Sequence, residues 1–205
     1  MREDLDDYAR RTLSAYRRHA DVAIKNWRRY CAASTFLRRF VRGLAPGALV
    51  LDYGCGIGTD LAWLRRRGFR VEGVDGTPEF VEQARRRCPG SPIMCRPFEA
   101  TRLPARRFDA IWCRAALIHV PPDAVRHELR KLRRALVPGG RLGLTLAWGW
   151  AEGYTQRDWI PDRFVVGYRK AQAQALLAEW SIQEVRVMSG DGRQGRWIYL
   201  SATSG

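Results

Sequence analysis

Lysine is almost missing from this chain. Lys25, Lys131 and Lys170 are the only ones among 36 basic residues, against 21 acidic ones, so the formal charge of +15 is carried almost wholly by arginine. Such a charge raises nucleic acid as a partner. The arginines are spread in pairs and triplets, however, from Arg10 and Arg11 through Arg85, Arg86 and Arg87. They fall mostly on the polar sides of helices, which favours solvated faces over a binding surface and fits a GC-rich coding bias. Long apolar runs are also missing. None approaches the roughly 20 residues of a membrane span, and Met1-Arg2-Glu3-Asp4 does not open a signal peptide, so a soluble cytoplasmic protein without membrane contact is expected. The five cysteines, Cys31, Cys55, Cys88, Cys95 and Cys113, form no Cys-x-x-Cys pair, which argues against a zinc site or a disulfide framework. No cluster of Asp and Asn stands out, and no metal is expected. At 205 residues a single compact domain is expected.

What the chain does have is organised around residues 50–60, Val-Leu-Asp-Tyr-Gly-Cys-Gly-Ile-Gly-Thr-Asp. An apolar run reaches Asp52, and Gly54, Gly56 and Gly58 then open into the periodic Leu61, Ala62 and Leu64. That pattern predicts a strand, a tight turn and a helix, with glycine admitting positive φ and close approach to the main chain. A second apolar strand ends in Asp75, about 20 residues further on, where a carboxylate can take both hydroxyls of a ribose.

Residues 4–44 read as helical. Phe36, Leu37, Phe40, Val41 and Leu44 make a firm amphipathic stripe, while Tyr8, Tyr16 and Trp27 read first as packing and second as pocket lining. From residue 48 strand and helix alternate, which predicts a parallel sheet covered on both faces. Thr77 and Pro78 suit the N-cap and first position of a helix. Strands are expected at 91–96, 107–113 and 142–148. After an aromatic insertion at 148–166 come a helix at 168–180 and a hairpin of strands 182–188 and 196–202 turning at Ser189-Gly190-Asp191-Gly192.

Residues 50–58 and Val71-Glu72-Gly73-Val74-Asp75 resemble the first and second motifs of the class I S-adenosylmethionine-dependent methyltransferases. Phe108-Asp109-Ala110-Ile111-Trp112, Leu117-Ile118-His119-Val120 and the Leu136-Val137-Pro138-Gly139-Gly140 turn extend the resemblance to about residue 147. The tail is similar to small metabolite methyltransferases of the tellurite-resistance type. The resemblance implies one αβα Rossmann-like domain over 1–205, with a helical cap at 1–46 and a cofactor-binding core at 47–147. Residues 148–205 would be a substrate-side insertion, helix and hairpin, and the sheet is expected to be seven-stranded and mostly parallel with an antiparallel hairpin at its end.

It also implies S-adenosylmethionine as cofactor and S-adenosylhomocysteine as product. Asp52 would hold the methionine amino group, Gly54, Gly56 and Gly58 would let the cofactor lie on the backbone, and Asp75, with Gly76 and Thr77, would take the ribose. Phe98 and Glu99 would flank the adenine, and Arg114 would complete the cofactor set. His119 is the candidate base or orienter, with packing as its alternative role. Tyr16, Trp148, Trp150 and Arg163 are candidate acceptor contacts, and Arg157 is a further cation near them. His19 and His127 read as surface.

The loop after residue 113 lacks both the Asn/Asp-Pro-Pro-Tyr/Phe signature and the Pro-Cys of cytosine C5 enzymes, so Cys113 reads as a small buried residue. The expectation is a monomer or homodimer that methylates O, N or S of a small molecule, with natural-product tailoring as one setting. RNA or an anionic peptide is the second acceptor class, and a non-catalytic cofactor-binding protein is the third. The glycine spacing and Asp52 oppose a nicotinamide oxidoreductase.

Overall fold

The structure is a computed structural model that describes residues 5–29, 35–156, 159–189 and 195–204. Cys31, Arg157 and the expected turn at Gly190, Asp191 and Gly192 lie outside the described residues.

Two helices, α1 (Leu5–Arg18) and α2 (Ala20–Arg29), precede a short α3 (Thr35–Phe40). The sheet begins with β1 (Leu49–Tyr53), whose five residues are all buried, as a central parallel strand requires. Then follow α4 (Thr59–Arg66), β2 (Arg70–Asp75), α5 (Pro78–Arg87) and β3 (Ile93–Cys95). Next come β4 (Phe108–Arg114), a single 3-10 turn at Leu117–His119, α6 (Pro122–Ala135) and β5 (Leu136–Trp148). The chain continues with β6 (Gly153–Tyr154), β7 (Phe164–Val165), β8 (Gly167–Tyr168), α7 (Lys170–Leu176), β9 (Ser181–Ser189) and β10 (Arg196–Thr203).

Strand order is β3-β2-β1-β4-β5-β10-β9, with β8 joined to β5 and a separate β6-β7 pair. Among the described residues the main sheet thus has eight strands rather than the expected seven, because Gly167 and Tyr168 pair with Ala147 and Trp148. β10 runs against both β5 and β9. The fifth strand begins at Leu136, earlier than its apolar run suggests, since Leu136 pairs with Phe108 before a register shift brings Arg141 opposite Ala110. Thr77 precedes α5 in extended conformation, but its hydroxyl makes no capping bond; the backbone N–H instead donates to Asp75.

The order reverses at β1, with β2 on one side and β4 on the other. In an open α/β sheet that reversal leaves a crevice at the carboxyl ends of the strands. Asp52 and Tyr53, Asp75 and Arg114 stand at those ends. Right-handed crossovers put α4 and α5 on one face and α6 on the other. Arg141 joins α3 to the first face by donating from Nη1 to the Phe40 carbonyl at 3.0 Å, while Gly143 lets the Phe40 ring approach Trp112 to 5.1 Å between centroids.

A satellite cluster of Ala15, Tyr16, Ala20, Ala23, Ile57, Phe80 and Ile160 seats the cap on the sheet domain. Polar contacts with the insertion add to it. Thr12 Oγ1 accepts from the Phe164 N–H at 3.0 Å, and Arg18 donates to Asp162 at 3.1 Å. Among the described residues no helix is long and apolar enough to cross a membrane.

Candidate functional site

The crevice at the strand reversal opens into a cavity of about 980 Å³, at the upper end of the range of small-molecule sites. It is lined by residues of the cap (Leu13, Tyr16, Trp27), the glycine turn, the ends of β2 and β4, the 3-10 turn and the insertion (Trp150, Thr155, Gln156, Trp159, Arg163).

The glycine turn is built by its own contacts. Gly54, Gly56 and Gly58 have φ of 87°, 51° and 77°, a region in which only glycine is unstrained. The Gly54 and Cys55 N–H groups both donate to the Val74 carbonyl, at 2.8 and 2.9 Å, and Gly56 N–H donates to Asp75 Oδ2 at 2.9 Å. The turn thus spends these amides on the protein. The space a Cβ would fill at Gly54 is taken by Ala116, 2.4 Å away, and at Gly58 by Ala84 of α5, 2.8 Å away. Gly58 does not line the cavity; its role is close packing of α4 on α5.

Asp52, the penultimate residue of β1, is 2% exposed, and its Oδ2 has no hydrogen-bond partner. Burial pushes its carboxyl well above the usual range; Asp60 pushes the same way, Arg114 opposes and Asp75 adds a smaller rise. Such an acid is built to meet a cation, because a buried unpaired carboxylate is costly by itself. Asp75 differs. Its Oδ1 accepts from Thr77 N–H and its Oδ2 from Gly56 N–H, both at 2.9 Å, and these bonds partly offset the rise that burial imposes. Each oxygen keeps a lone pair for a ligand hydroxyl.

Sequence reasoning missed Asp60. It accepts from Trp112 Nε1 at 2.8 Å and pairs with Arg114 Nε at 2.9 Å, nearly buried. Its only signal was an acid two residues after the third glycine. Thr145 was missed as well: its Oγ1 accepts from Ala115 N–H at 2.9 Å and holds that alanine at φ 53° where the β4 loop meets the cavity. Glu128 was the third omission. It accepts from Tyr53 Oη at 2.7 Å and pairs with Lys131 at 2.8 Å, while the Tyr53 ring stacks on Phe98 at 4.5 Å.

Of the candidate cofactor residues, Asp52, Gly54, Gly56, Asp75, Gly76, Thr77, Phe98, Glu99 and Arg114 all line the cavity. Gly76 lets Leu13 of the cap come within 2.6 Å of where a Cβ would stand. Of the other candidates, His119, Tyr16, Trp150 and Arg163 line it and Trp148 does not. The Trp148 ring instead lies near the Arg196 and Arg169 guanidinium carbons, at 5.1 and 5.9 Å. His127, read as surface, is exposed at the cavity edge with Asp123 and Glu99. Cys113 is wholly buried and burial pushes its thiol up, which leaves it inert. Among the described residues no group of three or more His, Cys, Asp or Glu is placed to hold a metal ion.

Residues 50–140, from the glycine turn to the Pro-Gly-Gly turn, match the family described as "Methyltransferase domain". These residues, a little under half of the chain, are similar to a methyltransferase domain. Over 109 residues the chain is 37% identical to "Methyltransferase GfsG" of Streptomyces halstedii, covering 49% of the chain and 38% of that protein. Over 146 residues it is 33% identical to the 2-methyl-6-phytyl-1,4-hydroquinone methyltransferase of Synechocystis sp., covering 67% of the chain and 42% of that protein. The chain therefore spans less than half the length of these curated relatives.

In fold the chain is similar to the crystal structure of Burkholderia thailandensis 1,6-didemethyltoxoflavin-N1-methyltransferase with bound 1,6-didemethyltoxoflavin and S-adenosylhomocysteine. The TM-score is 0.81 at 21% identity, over 100% of this chain and 92% of that one. These likenesses do not single out the tellurite-resistance subgroup.

Proposed function

We propose that this protein is an S-adenosylmethionine-dependent methyltransferase acting on a small-molecule acceptor. The observation that carries the reading is Asp52, a buried carboxylate with an unpartnered oxygen in the same cavity as the glycine turn and Asp75. A ligand with an ammonium group at one end and a ribose further along satisfies both acids. Asp52 takes the ammonium, Asp75 takes the ribose hydroxyls on the lone pairs its backbone bonds leave free, and Phe98 and Glu99 flank the adenine. Arg114, tied to Asp60, moderates the negative charge around Asp52.

When bound, the cofactor supplies a methyl group already activated by a positive sulfur. The protein's share is then positioning and exclusion of water, which can supply several kcal/mol. The cap and insertion do this by closing the cavity with Leu13, Tyr16, Trp27 and Trp159. His119, in the 3-10 turn after β4, lines the same cavity.

A small acceptor is supported by the aromatic cavity and by the name of one relative, a hydroquinone methyltransferase. Natural-product tailoring is a setting consistent with them. The test is release of S-adenosylhomocysteine from S-adenosylmethionine over a panel of small phenols, heterocycles and thiols, with RNA as a parallel acceptor. Product release with a small molecule supports the reading. Release with RNA alone, falling steeply with salt as phosphate contacts require, overturns it.

A further inference from the structure

One end of the cavity holds a hydrogen-bond relay assembled from the cap, the β4 loop and the insertion. Arg163, 6% exposed, donates from Nη1 to Tyr16 Oη at 2.9 Å and from Nε to the Ile160 carbonyl at 3.1 Å. A guanidinium only donates, so Tyr16 Oη is the acceptor there and its own O–H must point elsewhere. His119 Nε2 lies 2.8 Å away. On the other side of the imidazole, Nδ1 lies 2.7 Å from the Phe164 carbonyl, which can only accept. The partners therefore fix the tautomer: Nδ1 carries the proton, and Nε2 offers the lone pair that Tyr16 bonds.

With both ring nitrogens engaged, a molecule in the cavity finds no free nitrogen on His119. Tyr16 Oη, by contrast, accepts one bond, donates one and has a lone pair left. Aromatic rings stand beside it, and so does the Arg163 guanidinium, whose carbon lies 5.4 Å from the Tyr16 ring centroid and 5.6 Å from that of Trp159. The Tyr16 ring centroid lies 5.6 Å from Phe80 and 6.1 Å from Trp27, and Trp159 meets Trp27 edge to face at 6.0 Å. Aromatic walls of this kind favour a planar guest.

We propose that the acceptor is a flat ring molecule that carries a proton on the atom to be methylated, as a ring hydroxyl or ring N–H. Tyr16 Oη takes that proton while passing its own to His119 Nε2. The inference rests on the methyltransferase reading above. In the hydroxyl case the acceptor O–H bond breaks and an O–CH₃ bond forms as the S–CH₃ bond of the sulfonium breaks. The electron pair of that bond stays on sulfur, and the proton ends on His119 as imidazolium with Nδ1–H still on the Phe164 carbonyl. Because Tyr16 belongs to α1, the relay exists only when the cap is seated.

The test reads the proton directly. Protein saturated with S-adenosylhomocysteine is titrated with a series of nitrophenols at a fixed pH below each phenol's own pKa, and the visible phenolate band is recorded. In the wild type the band grows on binding. In Tyr16→Phe, and in His119→Gln, which keeps an acceptor for the Tyr16 hydroxyl but has no basic nitrogen, the band is absent while S-adenosylhomocysteine affinity stays within about threefold. With a phenol that is turned over, kcat falls about 100- to 10,000-fold in either variant and KM changes little. Should Tyr16→Phe fail to fold, His119→Gln decides by the same band.

A phenolate band that persists in the variants overturns the relay, and so does failure of every nitrophenol to bind wild-type protein that does bind S-adenosylhomocysteine. Failure of the wild type to bind S-adenosylhomocysteine overturns the methyltransferase reading instead.

Discussion

Replacing Asp52 by Asn removes one charge and almost no volume. The consequences have opposite signs with and without ligand. In the unliganded protein Oδ2 has no partner to lose, and the substitution relieves a carboxylate that burial, Asp60 and Asp75 make unfavourable and only Arg114 supports. Asp52→Asn should therefore be the more stable protein at neutral pH, by about 0.5–2 kcal/mol, the usual gain when a strained functional group is neutralised. For a chain of this size that is about 1–8 °C in Tm. With ligand, the amide offers no charge to an ammonium, and the lost pairing of a buried charge costs about 2–5 kcal/mol, which is about 30- to 5,000-fold in Kd.

The pH dependence follows the same logic. A carboxyl whose folded pKa lies above its unfolded one takes up its proton first in the folded state. Wild-type protein therefore gains stability as pH falls from neutral through that raised value, and the gain is complete below the ordinary carboxylate range. Asp52→Asn lacks this contribution, so the two melting curves converge on acidification. Thermal melts across pH, with and without S-adenosylhomocysteine, measure all three effects. A variant that binds as tightly as wild type, or melts lower without ligand, refutes the reasoning about Asp52.

Two further outcomes follow from the geometry. Thr145→Val removes the acceptor of the Ala115 N–H and should cost about 1–3 kcal/mol in a denaturant melt, whereas Ala115→Gly should leave Tm unchanged or raise it, because φ 53° is unstrained for glycine. Trp150→Ala should raise the KM for an acceptor, and Trp148→Ala should not, since only Trp150 lines the cavity; equal effects in the two variants would place the acceptor elsewhere.

The sheet core was legible because buried parallel strands read as unbroken apolar runs and because glycine and Pro-Gly-Gly punctuate them. Two-residue strands such as β8 carry no period of their own, and the early start of β5 depends on a register shift with β4, which only tertiary pairing reveals. Asp52 and Asp75 could be picked out because each closes an apolar run beside a turn. The pairing of Asp60 with Arg114 could not, as it joins the start of a helix to the end of a strand 54 residues later.

Tyr16, His119 and Arg163 were each singled out alone, but the hydrogen bonds that join them span 103 and 147 residues and leave no local pattern. Trp148 and Trp150 looked equivalent in an aromatic segment. Gly149, at φ 64°, turns the chain between them and sends only one ring to the cavity. The Thr77 cap illustrates the reverse case, in which a local preference yields to Asp75, whose carboxylate takes the Thr77 N–H.

Calorimetric titration of the wild type and of Asp75→Ala with S-adenosylmethionine, S-adenosylhomocysteine and NAD tests the central claim most directly. The account predicts one site for each sulfur ligand in the wild type, loss of most of that affinity in Asp75→Ala, and no heat with NAD. Binding of NAD, or sulfur-ligand affinity that is indifferent to Asp75, would contradict it.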